Sequence, residues 1–180
     1  MDQSPSSRLA KLEPSCTVGE ALALFDTLPS VRAEEITGRW AGRELGTGHR
    51  LDGALVASGW HGKRFDSLEE AFPLIFSTTG GRTFNGEPRR MPLGLTGRVS
   101  LSTLARVRPL LAAFEPALRT RRPRARLRNL EYRGVVTAAM IYDHLPIIDV
   151  FRLVDEVTLL GAMDWRDDPQ PYFFVLAKEL

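Results

Sequence analysis

The stretch Arg133–Leu180, RGVVTAAMIYDHLPIIDVFRLVDEVTLLGAMDWRDDPQPYFFVLAKEL, decides the fold of this chain. It contains four runs rich in β-branched, aliphatic and aromatic side chains, at Val135–Tyr142, Ile147–Val154, Val157–Trp165 and Tyr172–Lys178. Such side chains favour a pleated, half-buried surface, and the Asp and Pro residues between the runs favour turns. Because connections this short can join only neighbouring antiparallel strands, the stretch predicts a four-stranded meander that the rest of the chain must complete or cover.

The pattern of side chains along these runs predicts what surrounds them. Both faces of Val135–Tyr142 are apolar, so we expect this strand to be covered on both sides. Asp149 shares a face with the apolar Phe151, and a carboxylate in such surroundings must be hydrogen-bonded or paired, for which we expect an arginine. Asp149 and Asp164 are then either structural ion-pair residues or polar anchors in a cavity.

Length and composition limit the class of protein. The chain has 180 residues, a length that favours one domain. Its net charge is only +2, so it is not a strongly basic chain of the kind that binds nucleic acid through charge alone. The single Cys16 excludes an intramolecular disulfide and a cysteine-based zinc site. No window approaches the ~20 apolar residues of a membrane span, and the start of the chain lacks the apolar core of a signal peptide. We therefore expect a cytoplasmic protein with a flexible N-terminus over residues 1–15 and a single domain over residues 16–180.

Two capping boxes predict helices in the first half of the chain. Thr17-x-x-Glu20 precedes an apolar stripe at helical spacing that ends at Pro29, and this helix is either a lid or a packing element. Ser67-x-x-Glu70 predicts a second, short helix that Pro73 interrupts.

The middle of the chain predicts a loop, short helices and a basic segment. The loop over Thr78–Gly97 is a candidate gate over a cavity, and apolar residues at helical spacing over 101–118 predict short helices between the two halves. The arginine-rich segment Arg119–Arg128 is either the solvent-facing side of a strand or a contact for an anionic lipid head group. We expect no nucleic acid there, because no interleaved aromatic residues or recognisable binding motif accompany the arginines.

Two tryptophans lie among glycines, in Gly38-Arg39-Trp40-Ala41-Gly42 and in Gly59-Trp60-His61-Gly62-Lys63. Glycine permits positive φ or close approach of the backbone, and tryptophan supplies a large apolar wedge. We expect Trp40 to plug one end of a barrel, whereas for Trp60 a plug and a pocket wall stay equally open.

These motifs carry a resemblance to a known family. Gly38–Gly42 followed by Gly59–Phe65 resembles the GXWXG protein family over about residues 20–90. The C-terminal meander, about residues 124–180, resembles the domain of unknown function usually found behind it, through the segments Ala125–Arg128, Tyr132–Gly134, Ala138–Asp143, Pro146–Arg152 and Leu160–Asp164. This resemblance implies no particular activity.

The tripeptide Gly38-Arg39-Trp40, with a helix before it and a meander at the end of the chain, is also similar to the lipocalin and fatty-acid-binding (calycin) proteins. That similarity implies a mainly β fold, an antiparallel calycin-like β-barrel with an N-terminal helix and short helices between the two sequence halves. A barrel of about eight strands has room for one small ligand.

We therefore expect the protein to bind a small hydrophobic molecule, such as a fatty acid or phospholipid, inside the barrel. The candidate ligand-binding residues are Trp60, His61, Lys63, Phe65, Met140, Tyr142 and Phe151. His61 and Lys63 would share one face of a strand, where they either meet an anionic head group or face water.

Two alternatives stay open. One is a barrel enzyme, a cyclase or isomerase of a polyketide- or terpene-like substrate, with Tyr142, His144 or Asp149 as acid or base. The other is an interaction module that uses the basic segment. The three histidines lack metal-binding spacing and no nucleotide-binding motif is present, so we expect neither a metal nor a cofactor.

Overall fold

The computed structural model of the chain describes residues 4–78, 80–90 and 115–179. Its α-helices are α1 (Pro5–Leu12), α2 (Val18–Thr27), α3 (Ala54–Ser58) and α4 (Glu115–Leu118), with 3₁₀ turns at Ala33–Glu35 and Pro88–Arg90. The strands are β1 (Gly38–Glu44), β2 (Trp60–Phe65), β3 (Ala71–Ser77), β4 (Thr83–Asn85), β5 (Ala125–Tyr132), β6 (Val135–Tyr142), β7 (Ile147–Asp155), β8 (Thr158–Trp165) and β9 (Asp168–Lys178). Of the expected gate loop Thr78–Gly97, residues 79 and 91–97 lie outside the described residues, and the described part contains β4 and the 3₁₀ turn Pro88–Arg90. Most of the segment 101–118, where short helices were predicted, also lies outside the described residues.

The strands form one antiparallel sheet that closes into a ring. Going round the ring, β1, β2, β3, β5, β6, β7, β8 and β9 are neighbours, and β9 pairs again with β1. The remaining strand, β4, is added beside β3. The weakest seam is that between β3 and β5, where the register records the single pair Ala71–Ala125. The mainly β, barrel-like fold predicted from the sequence is confirmed.

The C-terminal meander follows the predicted strands closely. The bounds of β6 are those predicted, and β7 and β8 differ from prediction by one residue at one end. β9 begins earlier than predicted, at Asp168, because the turn after Trp165 is tight enough for Asp168 to pair with Trp165 across it. Part of the basic segment forms β5, which pairs with β6 along its whole length.

Strands β6–β9 are covered on both faces, which explains their nearly continuous apolar sequences. Inward-facing residues such as Met140 and Phe174 join the core inside the barrel. Outward-facing residues such as Ala139 and Phe173 join a second core with α1 and α2, in which Phe25 of α2 is fully buried. Burial of one such phenylalanine contributes about 1.5–3 kcal/mol. Of the two roles left open for this N-terminal helix, the packing role is the one observed.

Both N-terminal helices have side-chain caps. The capping box of α2 is present, since Thr17 Oγ1 accepts from the amide of Glu20 and the Glu20 carboxylate accepts from the amide of Thr17. Where the sequence predicted a flexible segment over residues 1–15, the structure has α1, with Ser4 as its cap and Leu9 buried. Leu9 packs into the second core, between the sheet and the helices. The short, polar sequence around Leu9 does not predict this contact.

The second capping box does not start a helix, and this prediction is wrong. Residues Asp66–Glu70 form a tight turn in which the Asp66 amide donates to the Glu70 carbonyl at 2.8 Å. The next residues form β3, and its first six side chains are buried. Local capping preference is worth about 1 kcal/mol, less than the burial of such an apolar run inside the barrel.

Trp40 lies in the core inside the barrel, and its expected role as a plug at one end stays a prediction. Its indole is 2% exposed and its Nε1 donates to the carbonyl of Ile36 at 2.8 Å, so no polar atom of the ring is left unpaired. The backbone enters β1 at Gly38 with a φ of 117°, a conformation that favours glycine. Within the described ranges, no helix has the length and apolar character needed to cross a membrane.

Candidate functional site

An apolar cavity of about 70 Å³ lies inside the barrel. Its walls are mostly aliphatic and aromatic side chains contributed by several strands and by α3 with the turn before it: Leu51, Ala54, Leu55, Trp60, Leu74, Tyr142, Ile147, Met163, Trp165, Tyr172 and Phe174. Two charged side chains, those of Lys63 and Asp149, complete the lining. The cavity is thus lined by apolar side chains, with one charged pair formed by Lys63 and Asp149.

The charged pair in the cavity lining is a buried ion pair. Lys63 Nζ donates to Asp149 Oδ2 at 2.7 Å and to the carbonyl of Pro73 at 3.2 Å. The two side chains are only 4% and 1% exposed. Because a lone charge at this depth would be costly, each residue depends on the other for its place in the core.

Aromatic rings surround the ammonium group of Lys63. Its Nζ lies 4.8 Å from the ring centroid of Phe174, 5.6 Å from that of Trp60 and 5.8 Å from that of Tyr142. The negative faces of such rings attract a cation within about 6 Å. Two acceptors and three rings therefore hold Lys63 as a cation that is already well satisfied.

Two polar atoms of the lining have no partner among the described residues. Asp149 uses Oδ2 for Lys63, whereas its Oδ1 is buried without a hydrogen bond, and the Nε1 of Trp60 is also buried and unpaired. Burial raises the pKa of Asp149 above its usual value, although Lys63 opposes this shift. Burial, and then the neighbouring Asp149, raise the pKa of Tyr142 well above the ordinary tyrosine value. Beside the Tyr142 hydroxyl, which interacts with the Asp149 carboxylate, the site thus presents one acceptor atom and one donor atom without a partner among the described residues.

An irregularity in β2 brings Trp60 and Lys63 to the same cavity. The pairing with β3 shifts on both sides of Gly62, which has a φ of 151°. A β-carbon at Gly62 would come within 1.9 Å of the carbonyl oxygen of Trp40, so only glycine fits between the strands. In a regular strand, residues three apart would point to opposite faces. The shift at Gly62 therefore places the side chains of Trp60 and Lys63 on the same side of β2, facing the cavity.

Among the described residues, α3 is the helix that lines the cavity, and Glu44 makes hydrogen bonds to it. The Glu44 carboxylate accepts from the amide of Gly53 at 2.8 Å, from the amide of Leu55 at 2.6 Å and from the hydroxyl of Tyr172 at 2.6 Å. None of the residues of α3 is fully buried. The wall is thus held by hydrogen bonds to one carboxylate and by the packing of Leu55 against the inner core.

Part of the predicted site lies at the cavity. Trp60, Lys63 and Tyr142, from the ligand-binding set, and Asp149, from the catalytic set, all line it. The partner of Asp149 is a lysine and not the expected arginine. The arginine was expected because guanidinium is the usual partner of a buried carboxylate, but Lys63 reaches Asp149 from β2.

The other predicted residues lie elsewhere. Phe65, Met140 and Phe151 are fully buried in the packed inner core, outside the cavity lining. His144 is exposed in the turn between β6 and β7. His61 does not share a face with Lys63, because the shift at Gly62 turns it away, and its Nε2 lies 2.5 Å from Glu179 Oε1.

Sequence reasoning missed several walls of the cavity. Tyr172 and Phe174 alternate with the outward-facing Phe173 along β9, and this period of two was the available signal. The contribution of α3 had no such signal, since a helix of five residues has no readable periodicity.

The basic segment is largely engaged in ion pairs. Arg124 contacts Glu87 at 2.5 Å, Arg126 contacts Asp143 at 2.9 Å and Arg128 contacts Glu69 at 2.7 Å. These pairs fit the strand interpretation for its second half. Arg121 and Arg122 are exposed, and contact between them and an anionic head group stays a prediction.

Metal-binding side chains do not gather in the part of the chain that the structure describes, where no group of three or more His, Cys, Asp or Glu residues could hold an ion.

Comparisons with known proteins agree with the two-part sequence. The profile of the GXWXG protein family matches residues 23–81, and that of the domain of unknown function DUF4334 matches residues 123–178. A crystal structure of a protein from Thermomonospora curvata is 30% identical, with a TM-score of 0.73, over 98% of this chain and 99% of that one. No curated protein matches the chain.

Proposed function

The chain belongs to the GXWXG protein family with its DUF4334 domain, and from the cavity in its barrel we propose that it binds a small hydrophobic molecule there. The observation that carries the proposal is the unfilled apolar cavity around Lys63 and Asp149. Ligand sites in proteins are typically concave and mostly apolar with a few polar groups, and this cavity has that character.

The size of the cavity bears on the kind of guest. Its volume of about 70 Å³ is well below the ~300–1,000 Å³ of pockets for drug-sized ligands. A compact ligand, or one end of a fatty acid or phospholipid chain, therefore suits the cavity better than a whole lipid. A larger guest would require α3 to move, and the hydrogen bonds of Glu44 are the contacts that would have to break.

Titration with toluene, followed by NMR, tests this proposal. We expect saturable shifts of resonances from the cavity wall in the parent protein. Ile147→Phe should abolish the shifts by filling the cavity, since Ile147 is a buried wall residue. Val136→Phe is the matched control, because Val136 is 60% exposed on the same meander and should leave binding unchanged. Toluene binding that is absent, or equal in the two variants, would contradict the proposal.

A second candidate function is an acid–base reaction on an apolar substrate, such as a cyclisation or isomerisation. The observation that favours it is the meeting of Tyr142 and Asp149 in one cavity, both with raised pKa values. A suitable probe is cyclohexanone in D₂O, whose α-protons exchange when a base removes them. Faster exchange with the parent than with Tyr142→Phe would support catalysis, and equal exchange rates would exclude this chemistry for Tyr142.

A further inference from the structure

The charges of the cavity cancel before any ligand arrives. Lys63 and Asp149 neutralise each other at 2.7 Å, and Lys63 has a further acceptor in Pro73 O. An anionic ligand would have to place its charge near the Asp149 carboxylate, and a cationic ligand near the Lys63 ammonium. The cost of desolvating either ion would come without a free counter-charge to offset it.

The hydrogen-bonding capacity that remains is specific. Asp149 Oδ1 accepts and Trp60 Nε1 donates, and both atoms are buried without a partner among the described residues. Their residues are 1% and 8% exposed, and both line the cavity. A buried polar group left unsatisfied is costly, so a ligand that pairs with both atoms gains more than one that pairs with neither.

We propose that the ligand of this cavity is an uncharged alcohol, whose hydroxyl donates to Asp149 Oδ1 and accepts from Trp60 Nε1. A hydroxyl is the smallest group that does both, and a compact cavity favours small groups. The apolar remainder of the alcohol lies against the aliphatic and aromatic walls. This inference rests on the proposed binding function and names the class of its ligand.

The same geometry disfavours the carboxylate of a fatty acid as the buried group. Of the two side chains expected to meet an anionic head group, His61 is turned toward Glu179 and Lys63 is already paired with Asp149. A fatty acid would then enter with its methyl end first, leaving its head outside.

Three probes of matched shape test the inference: cyclopentanol, methylcyclopentane and cyclopentanecarboxylate, each titrated at neutral pH and followed by NMR. In the parent protein we expect cyclopentanol to bind at least as tightly as methylcyclopentane, although water solvates the alcohol far better. Cyclopentanecarboxylate should bind more weakly than either.

Two variants separate the polar contacts from the apolar walls. Trp60→Phe should weaken cyclopentanol about tenfold relative to methylcyclopentane, as expected for the loss of one buried hydrogen bond. The double variant Lys63→Met with Asp149→Leu should also remove the preference for the alcohol, while an apolar pair of similar size keeps the core filled. Trp165→Phe, another aromatic wall residue, is the control and should leave the ratio of the two dissociation constants unchanged.

The possible outcomes are distinguishable. If all three probes bind but the ratios stay the same in every variant, the alcohol inference is overturned while the proposed function stands. If cyclopentanecarboxylate binds tightest, the ligand is an acid and the inference is overturned. If neither toluene nor any of the three probes binds the parent, the proposed function itself fails.

Discussion

The indole of Trp60 lies against the α-carbon of Gly42 on the neighbouring strand, where a β-carbon would come within 2.1 Å of the ring atom Cη2. Gly42, the last glycine of the Gly38–Gly42 motif, therefore leaves the space that the Trp60 ring needs, and this ring is one wall of the cavity. The first glycine sets the entry of β1, and Trp40 between them fills the core. The spacing of the motif thus follows from where two tryptophan rings must lie.

Gly42→Ala is expected to displace the Trp60 ring and destabilise the protein. The added methyl overpacks the core, at a cost of about 1–3 kcal/mol in urea unfolding. Trp60 fluorescence should change, and toluene binding should weaken. Gly19→Ala in α2 is the control, because its β-carbon meets nothing closer than 3.9 Å. Equal stability and equal binding of Gly42→Ala and the parent would refute the role assigned to Gly42.

Lys63→Met is expected to lower stability by about 3–5 kcal/mol, because it leaves the buried Asp149 carboxylate without its counter-ion. Adding Asp149→Leu should restore most of the loss, since the unpaired charge is removed as well. Urea unfolding of the parent, the single variant and the double variant measures both effects. A single variant as stable as the parent would mean that Asp149 does not carry its charge in the folded protein.

The buried tyrosines make stability fall at high pH. Burial raises the pKa of Tyr142 and Tyr172, and Asp149 and Glu44 respectively raise them further. The folded state therefore keeps protons that the unfolded state loses above about pH 10. Stability should be unaffected by these groups below that pH and should fall above it by up to about 1.4 kcal/mol per pH unit for each tyrosine.

Ultraviolet titration of tyrosinate, together with circular dichroism, measures this effect. Ionisation of Tyr142 and Tyr172 should coincide with loss of the native signal, and Tyr142→Phe should reduce the pH dependence. Ionisation of all the tyrosines near pH 10 in a protein that is still folded would contradict the expectation.

Glu44→Ala is expected to free α3 from the barrel. Hydrogen exchange should accelerate at the amides of Gly53 and Leu55, which donate to Glu44, while the amides of β7 and β8 stay protected. The matched control is Glu13→Ala, which removes a surface ion pair with Arg43 and should change little. Unchanged exchange at Gly53 and Leu55 would show that other contacts hold this wall.

The C-terminal strands could be predicted from sequence because their side chains are apolar over whole runs and their turns are short. Burial on both faces explains why Val135–Tyr142 lacks alternation: Met140 faces the inner core and Ala139 faces the helices. The apolar neighbours of Asp149 also indicated that its carboxylate needs a partner, which is Lys63.

The remainder of the site depends on features that local patterns do not encode. The shift at Gly62 reverses the relation between His61 and Lys63, and it arises from the close approach of the Trp40 carbonyl on another strand. The contact of Lys63 with Asp149 spans 86 residues. The prediction of a short helix at Ser67 failed because a local capping box stabilises a helix less than burial of the apolar side chains stabilises β3.

The ring closes only where β1 meets β9 and where β3 meets β5, and each of these seams joins a strand from one half of the chain to a strand from the other. A polypeptide divided between β4 and β5 would yield two fragments with unpaired edge strands. These would be β1 and β3 in the first fragment, and β5 and β9 in the second. Lys63 and Asp149 would lie in different fragments, so the buried ion pair depends on both halves of the chain.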